Sequence, residues 1–237
     1  MNAENLSLRL QTVAQYIQGE TLADIGSDHA YLPCFAIGNK LVEKAIAGEV
    51  VHGPFQSARQ QVEQQKLTCK IDVRLGDGLQ VIELADEVDC ITICGMGGSL
   101  IAQILEQGKE RLSGKERLIL QPNIASEFVR RWLQTNNWAI IAEDIILEDG
   151  KVYEVIVSEK SEQEVALSDL EIFCGPKLLE SPTPVFKMKW KSELAHLKQI
   201  LKQMSTSQAN LRNEERKHEL TQKITLIETI DLTHNCL

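Results

Sequence analysis

Between Thr21 and about Lys160 short apolar runs alternate with amphipathic ones, and this alternation limits the fold more than any other feature of the chain. The strand candidates are Thr21–Ile25, Lys44–Val51, Ile71–Leu75, Asp89–Cys94 and Arg117–Gln121. Helix candidates Tyr31–Leu41, Pro54–Lys66, Gly98–Arg111 and Ala125–Asn136 lie between or beyond them. Short strands rich in Ile and Val suit a parallel sheet covered on both faces. Strand–helix repeats of this length wind into a doubly wound α/β sheet with right-handed crossovers. The series then breaks. Trp138–Leu147 and Val152–Glu159, separated by Glu148-Asp149-Gly150, read as an antiparallel hairpin, a departure from the dinucleotide-binding layout. An opening helix over Leu6–Ile17 puts Leu6, Leu10, Val13 and Ile17 on one face.

A second module follows. A polar stretch, Ser161–Asp169, leads into the breakers Cys174-Gly175-Pro176 and Ser181-Pro182-Thr183-Pro184. Beyond them Trp190, Leu194, Leu197, Leu201 and Met204 recur at three- and four-residue spacings, as do Leu220, Ile224, Ile227 and Ile230. That is a coiled-coil seam, and the short joint Ser205–Asn210 implies an antiparallel pair. The expected division is 1–162 and 163–237. Charge divides likewise: 177–237 carry ten Lys and Arg against seven Asp and Glu, and the rest fifteen against twenty-seven. The net charge of −9 argues against wholesale coating of nucleic acid, with a mildly basic tail as the exception.

No apolar run approaches the roughly 20 residues that span a bilayer, and the first residues lack a signal-peptide layout. Six cysteines, at 34, 69, 90, 94, 174 and 236, form no Cys-x-x-Cys pair, so neither a metal site nor a disulfide framework is expected. These features point to a cytoplasmic protein with reduced thiols, no metal and no membrane association.

In an open parallel sheet ligands bind beyond the strand ends. The first strand ends in Asp24, Gly26, Asp28 and His29, the second in Glu49, Val50 and Val51, and the third in Gly76-Asp77-Gly78. The fourth ends in Gly95-Met96-Gly97-Gly98 and the fifth in Gln121-Pro122-Asn123, a rigid turn presenting two amides. A phosphate cradle needs several glycines offering bare N–H groups. Here only Gly26 remains of that pattern, and Asp24 and Asp28 place negative charge where a pyrophosphate would lie. The sulfonium and ammonium of S-adenosyl-L-methionine suit such a loop. Glu49 is placed to accept from ribose hydroxyls and Asp77 from an adenine amino group. Read singly, Glu49 is also a solvent-facing acid, Asp77-Gly78 a turn, and the Gly95–Gly98 run a tight helix start. A nicotinamide-dependent oxidoreductase is a rival reading, weakened by Asp28 and Ala30 at the glycine positions. An RNA-binding or assembly protein with a vestigial pocket is another.

The string Ala23-Asp24-Ile25-Gly26-Ser27-Asp28-His29-Ala30-Tyr31-Leu32-Pro33 resembles the first motif of the bacterial tRNA adenine-22 N1-methyltransferases. So do Gly48-Glu49-Val50, Gly76-Asp77-Gly78-Leu79, Gly95-Met96-Gly97-Gly98 and Leu120-Gln121-Pro122-Asn123, and the resemblance runs from Leu6 into the C-terminal helices. It implies a Rossmann-like class I methyltransferase sheet ending in the hairpin, plus a C-terminal helical coiled-coil domain. It also implies S-adenosyl-L-methionine as cofactor and tRNA as substrate, with N1 of an adenine in the D-arm as acceptor. Neutral N1 already carries a lone pair, so positioning rather than a strong base carries the reaction.

On this reading the cofactor is bound by Asp24, Gly26, Asp28, His29, Glu49, Val50, Gly76, Asp77, Gly78, Gly95, Met96 and Gly97. Asp24, Asp28, His29 and Asn123 are the catalytic candidates. Asp24 and Asp28 face the methionine ammonium or sulfonium, while Asn123 braces the base. His29 is an orienter or a proton shuttle. N1 lies on the Watson–Crick edge, so the adenine must be extruded, with phosphate contacts offsetting the cost. Lys187, Lys189, Lys191, Lys198 and Lys202, then Arg212, Arg216, Lys217 and Lys223, are the suppliers, with Arg9, Arg130 and Arg131 extending the footprint; a solvated charged face is the plainer reading. A monomer or weak homodimer is expected.

Overall fold

Ile- and Val-rich runs that cannot leave either face in water become the inner strands of one sheet. The computed structural model describes residues 5–205, 211–230 and 232. Its strands are β1 Thr21–Ile25, β2 Lys44–Glu49, β3 Ile71–Leu75, β4 Cys90–Gly97, β5 Arg117–Ile124, β6 Trp138–Glu148 and β7 Lys151–Lys160. They form one sheet in the order β3-β2-β1-β4-β5-β7-β6. The first five pair in parallel, and β7 enters antiparallel between β5 and β6. The chain order reverses beside β1, which opens a crevice at the ends of β1 and β4.

Helices α1 Leu8–Ala14, α2 Tyr31–Gly38, α3 His52–Gln64, α4 Gly98–Gln107 and α5 Ser126–Thr135 cover the sheet. Leu22, Ile91, Ile93, Leu118, Ile119 and Leu120 are fully buried between the layers. The opening helix is shorter than its apolar stripe: Leu6 and Ile17 are buried but lie outside the helical turns. Ser7 caps it, and the Glu148 carboxylate at the end of β6 accepts from Leu8 N at 2.5 Å and Arg9 N at 3.3 Å. An anion at a helix N-terminus is favoured by the exposed N–H groups and the helix dipole. The hairpin thereby sets the position of α1.

β4 and β5 both run past their expected ends. Gly95-Met96-Gly97 and Pro122-Asn123 are strand, not loops beyond it, with register slips between Cys94 and Met96 and between Met96 and Gly97. Pro122 has no N–H to give a ladder, and a slipped register is where a strand accommodates that.

One expected surface cation is internal. Arg130 on α5 is completely buried and donates to Glu143 of β6 at 2.7 Å and to Glu154 of β7 at 2.6 Å. Those two carboxylates outweigh the cost of burial and keep the guanidinium firmly charged. It locks helix to hairpin and has no part in an RNA footprint. Arg131 beside it is exposed.

The chain divides into two compact units, the first ending at Ala166 and the second beginning at Leu167. Within the second unit two helices occupy the stretch read as breakers: α6 Asp169–Cys174 and α7 Pro176–Glu180. A capping box pairs Ser168 with Glu171, and Pro176 opens α7. The long helices are α8 Pro184–Ser205 and α9 Leu211–Glu228, which pack on each other. Trp190, Leu197, Ile224 and Ile227 of the expected seam are buried, while Leu194, Leu201, Met204, Leu220 and Ile230 are half-buried. Phe173 and Phe186 lie 4.9 and 6.0 Å from the Trp190 ring, a small aromatic core for this unit. The joint over 206–210, His234 and Cys236 fall outside the described residues.

Candidate active site

The turn after β1 is built around a left-handed backbone. Gly26 has φ +68°, and Gly26 N and Ser27 N both donate to Gly48 O of β2, at 2.9 and 3.1 Å. Asp28, His29 and Ala30 then follow with φ +41°, +66° and +53°. Such a conformation costs a residue with a Cβ roughly 1–2 kcal/mol, so the surroundings must hold it. Asp28 N donates to Glu49 Oε1 at 2.5 Å, and the His29 ring stacks on Tyr31, centroids 5.3 Å apart. Strain held in place in this way is characteristic of ligand-binding turns.

Three carboxylates meet here in different surroundings. Asp24 is buried and takes a hydroxyl hydrogen bond on each oxygen, from Ser27 Oγ and Thr92 Oγ1, both at 2.6 Å. Burial still pushes its pKa up, against those two bonds. Glu49 is only 6% exposed, which excludes the solvent-facing reading. Burial raises its pKa as well, opposed by the Asp28 N–H. The Asp28 carboxylate is 75% exposed, 3.6 Å from His29 Nε2.

The β4–β5 side is organised by one buried amide. Gln121 Oε1 accepts from Gly95 N at 2.9 Å and from Arg9 Nη1 of α1, while Gln121 Nε2 donates to Asn123 Oδ1 at 3.1 Å. Asn123 Nδ2 donates to Gly95 O at 2.8 Å. The Arg9 guanidinium lies 5.6 Å from the centre of the Tyr153 ring of β7. Together Arg9, Asp24, Asp28, Gly95, Met96, Asn123 and Tyr153 line a cavity of about 270 Å³. A Cβ at Gly26 would be strained by its φ of +68° and would displace the flexible end of Met96, whose Cε would lie 2.2 Å away. Cys94 also lines it, and burial pushes that thiol up, so it stays protonated.

Residues 22–229 match the model of the tRNA (adenine(22)-N(1))-methyltransferase family. The chain belongs to that family. The tRNA (adenine(22)-N(1))-methyltransferase of Bacillus subtilis is 48% identical over 235 residues, spanning 97% of this chain and 98% of that one. The crystal structure of the B. subtilis enzyme superposes with a TM-score of 0.91 at 46% identity, covering 96% and 99% of the two chains. A Streptococcus pneumoniae protein crystallised in complex with S-adenosyl-L-methionine gives 0.86 at 43% identity, covering 95% and 99%.

The fold brings most of the expected first-unit residues of this family member to the carboxyl ends of the parallel strands. Glu49 bonds to the Asp28 turn, and Gly76 N donates to Glu49 O at 2.8 Å. Asp77 is exposed at the start of a 3-10 turn, Gly78–Val81, and Val50 and Val51 are exposed beside Glu49. Arg9, expected in an outlying RNA footprint, lines the cavity instead. Gln121 was named in the sequence only as one of two amides presented by a turn, and Tyr153 and the hydroxyls of Ser27 and Thr92 were given no role. Strand-end position flags Gln121, but nothing local distinguishes Tyr153.

In the second unit Lys187 is 6% exposed and therefore no phosphate contact. It lies beside Phe186 on the inner face of α8, where its helical position outweighs its charge. Lys189 packs 4.5 Å over the Trp190 ring, and Lys223 lies 5.2 Å from the Phe173 ring. Lys217 pairs with Glu214 at 2.8 Å, and Lys198 with Glu228 at 2.6 Å. Lys191, Lys202 and Arg216 are exposed. The Arg212 side chain lies outside the described residues. Among the described residues no acidic, His and Cys cluster suits a metal, and no helix is long and apolar enough to cross a membrane.

Proposed function

We propose that the cavity beyond β1, β4 and β5 is where the chain performs the reaction of its family. The protein is an S-adenosylmethionine-dependent tRNA (adenine-N1)-methyltransferase acting at adenine 22. The observation that carries the site assignment is the strained Asp28–Ala30 turn fastened to buried Glu49, a loop with carboxylates where a phosphate-binding loop would have glycines. S-adenosylmethionine supplies a methyl group activated on a sulfonium. The residues present fit it. Glu49 uses Oε1 for Asp28 and has Oε2 for a ribose hydroxyl. Asp77 accepts from the adenine amino group, and Val50 and Val51 offer apolar surface alongside. Asp28 faces the cationic methionyl end, with Asp24 shaping the turn beneath it.

Asn123 braces the target base. Its amide is fixed by Gly95 O and Gln121, so it is oriented before substrate arrives. Its oxygen favours the positive charge that develops on an adenine methylated at N1. Arg9 holds Gln121 and Tyr153 in register. His29, stacked on Tyr31, orients the turn, since an N1 lone pair needs no proton removed. Exposed Lys191, Lys202 and Arg216 supply phosphate contacts from the second unit. The enzyme works in the cytoplasm as a monomer or weak homodimer.

Unmodified tRNA incubated with S-adenosylmethionine and the enzyme is expected to gain N1-methyladenosine, read as a reverse-transcription stop in the D-arm. A stop elsewhere overturns the target assignment. Calorimetry tests the pocket: Glu49→Ala and Asp77→Ala should each weaken S-adenosylmethionine binding, and unchanged affinity in both overturns it.

A further inference from the structure

The end of β5 places a large apolar side chain in water beside the residue that braces the base. Ile124 follows Asn123 directly, pairs in register with Gly97 of β4, and is 71% exposed. Phe128 on the first turn of α5 and Leu100 on the first turn of α4 are each about half exposed. Gly98 at the start of α4 lies so close to Ile124 O and Ala125 O that a Cβ would clash, so α4 begins against this strand end. Three apolar side chains on adjoining elements just past Asn123, one largely and two about half in water, lack a folding explanation, because each keeps much of its surface exposed.

The reaction supplies one. N1 of adenine is on the edge that pairs and lies within the stack, so the base must leave the helix to enter the cavity. That leaves a gap between neighbouring bases, and apolar side chains inserted between base steps are how proteins stabilise unstacked nucleic acid. We propose that Ile124 is the wedge that occupies the place of the extruded adenine in the tRNA stack, with Phe128 and Leu100 extending the apolar surface against the flanking bases. The inference rests on the N1-methylation reading above. It assigns the base and its replacement to adjacent residues of one strand: Asn123 holds the adenine and Ile124 fills the space it vacated. A charged or small residue at 124 would leave the gap to water, and the adenine would return to the stack faster than it reacts.

The test uses full-length protein with S-adenosylhomocysteine and a tRNA carrying 2-aminopurine next to the target adenine. Wild type and Ile124→Met should raise the 2-aminopurine fluorescence on binding, and Ile124→Ala should lose most of that rise. With S-adenosylmethionine, Ile124→Ala should lower kcat/KM on tRNA about tenfold to a hundredfold, the scale of a few kcal/mol of extrusion cost. Its affinity for S-adenosylhomocysteine should stay within about twofold, showing that the fold and cofactor pocket are intact. A full fluorescence rise with Ile124→Ala overturns the wedge, whatever happens to turnover, since the base then leaves without the side chain. Absence of N1-methyladenosine with wild type overturns the methylation reading instead, which separates the two failures.

Discussion

At Asp24 and Glu49 two carboxylates are buried at the ends of neighbouring strands, and burial raises the pKa of each. A carboxylate whose folded pKa is raised binds a proton more readily in the native than in the unfolded chain. Its contribution to stability is therefore present in acid and lost as pH climbs above the ordinary carboxylate range. Asp86 and Glu171, whose pKa values are lowered, act in the opposite sense, so a single substitution isolates the effect. The Tm of Glu49→Gln relative to wild type should rise as the pH climbs above the ordinary carboxylate range; a constant difference would sink the assignment. Asn123 makes a separate prediction. Asn123→Ala should cost about a hundredfold in kcat, the scale of losing one preorganised polar group at a site of developing charge. Cofactor affinity, measured by calorimetry, should be retained.

Elements meet here with little room to spare. The ideal Cβ of Gly98 falls 2.0 Å from Ala125 O, a backbone atom that cannot swing aside. Gly98→Ala must push α4 off the β5–α5 junction, and a loss of about 1–3 kcal/mol or more is expected in chemical denaturation. Gly53 in α3 has nothing within 4 Å of its Cβ, so Gly53→Ala should be neutral or stabilising by up to about 1 kcal/mol. The contrast tests packing rather than glycine content. Arg130 tests the lock between α5 and the hairpin. Arg130→Met leaves Glu143 and Glu154 buried without their cation and should destabilise by about 3–5 kcal/mol. Equal stability of that variant and wild type would show the triad to be dispensable.

At the scale of the whole molecule, charge is distributed by unit: the tail is mildly basic while the remainder is acidic. Substituting Lys191, Lys202 and Arg216 together by Ala should weaken tRNA binding. Its salt dependence should flatten by roughly 0.9 in log–log slope for each phosphate that the protein no longer neutralises. Cofactor affinity should not change. Lys187→Ala belongs to a different experiment, because its side chain is buried. It should lower Tm rather than the salt slope, and an unaltered Tm would count against its burial.

The sheet, the closing hairpin, the two-module division of charge and the strand-end residues Glu49 and Asp77 were legible in the sequence, because periodicity and turn chemistry act over a few residues. So were α8 and α9. The helices α6 and α7 were missed although Ser168 and Glu171 form a capping box, since the breakers Gly175 and Pro176 read as loop while acting as a helix junction. What only the tertiary structure decided is which distant groups share a site or an interior. Arg9, Gln121 and Tyr153 come from α1, β5 and β7, and they meet because Glu148 of the hairpin caps α1. Arg130 and Lys187 read as surface cations until the elements packed over them are known. A side chain's type is a local property. Its burial, its partner and its charge state depend on what the rest of the chain lays against it, and that is settled by folding alone.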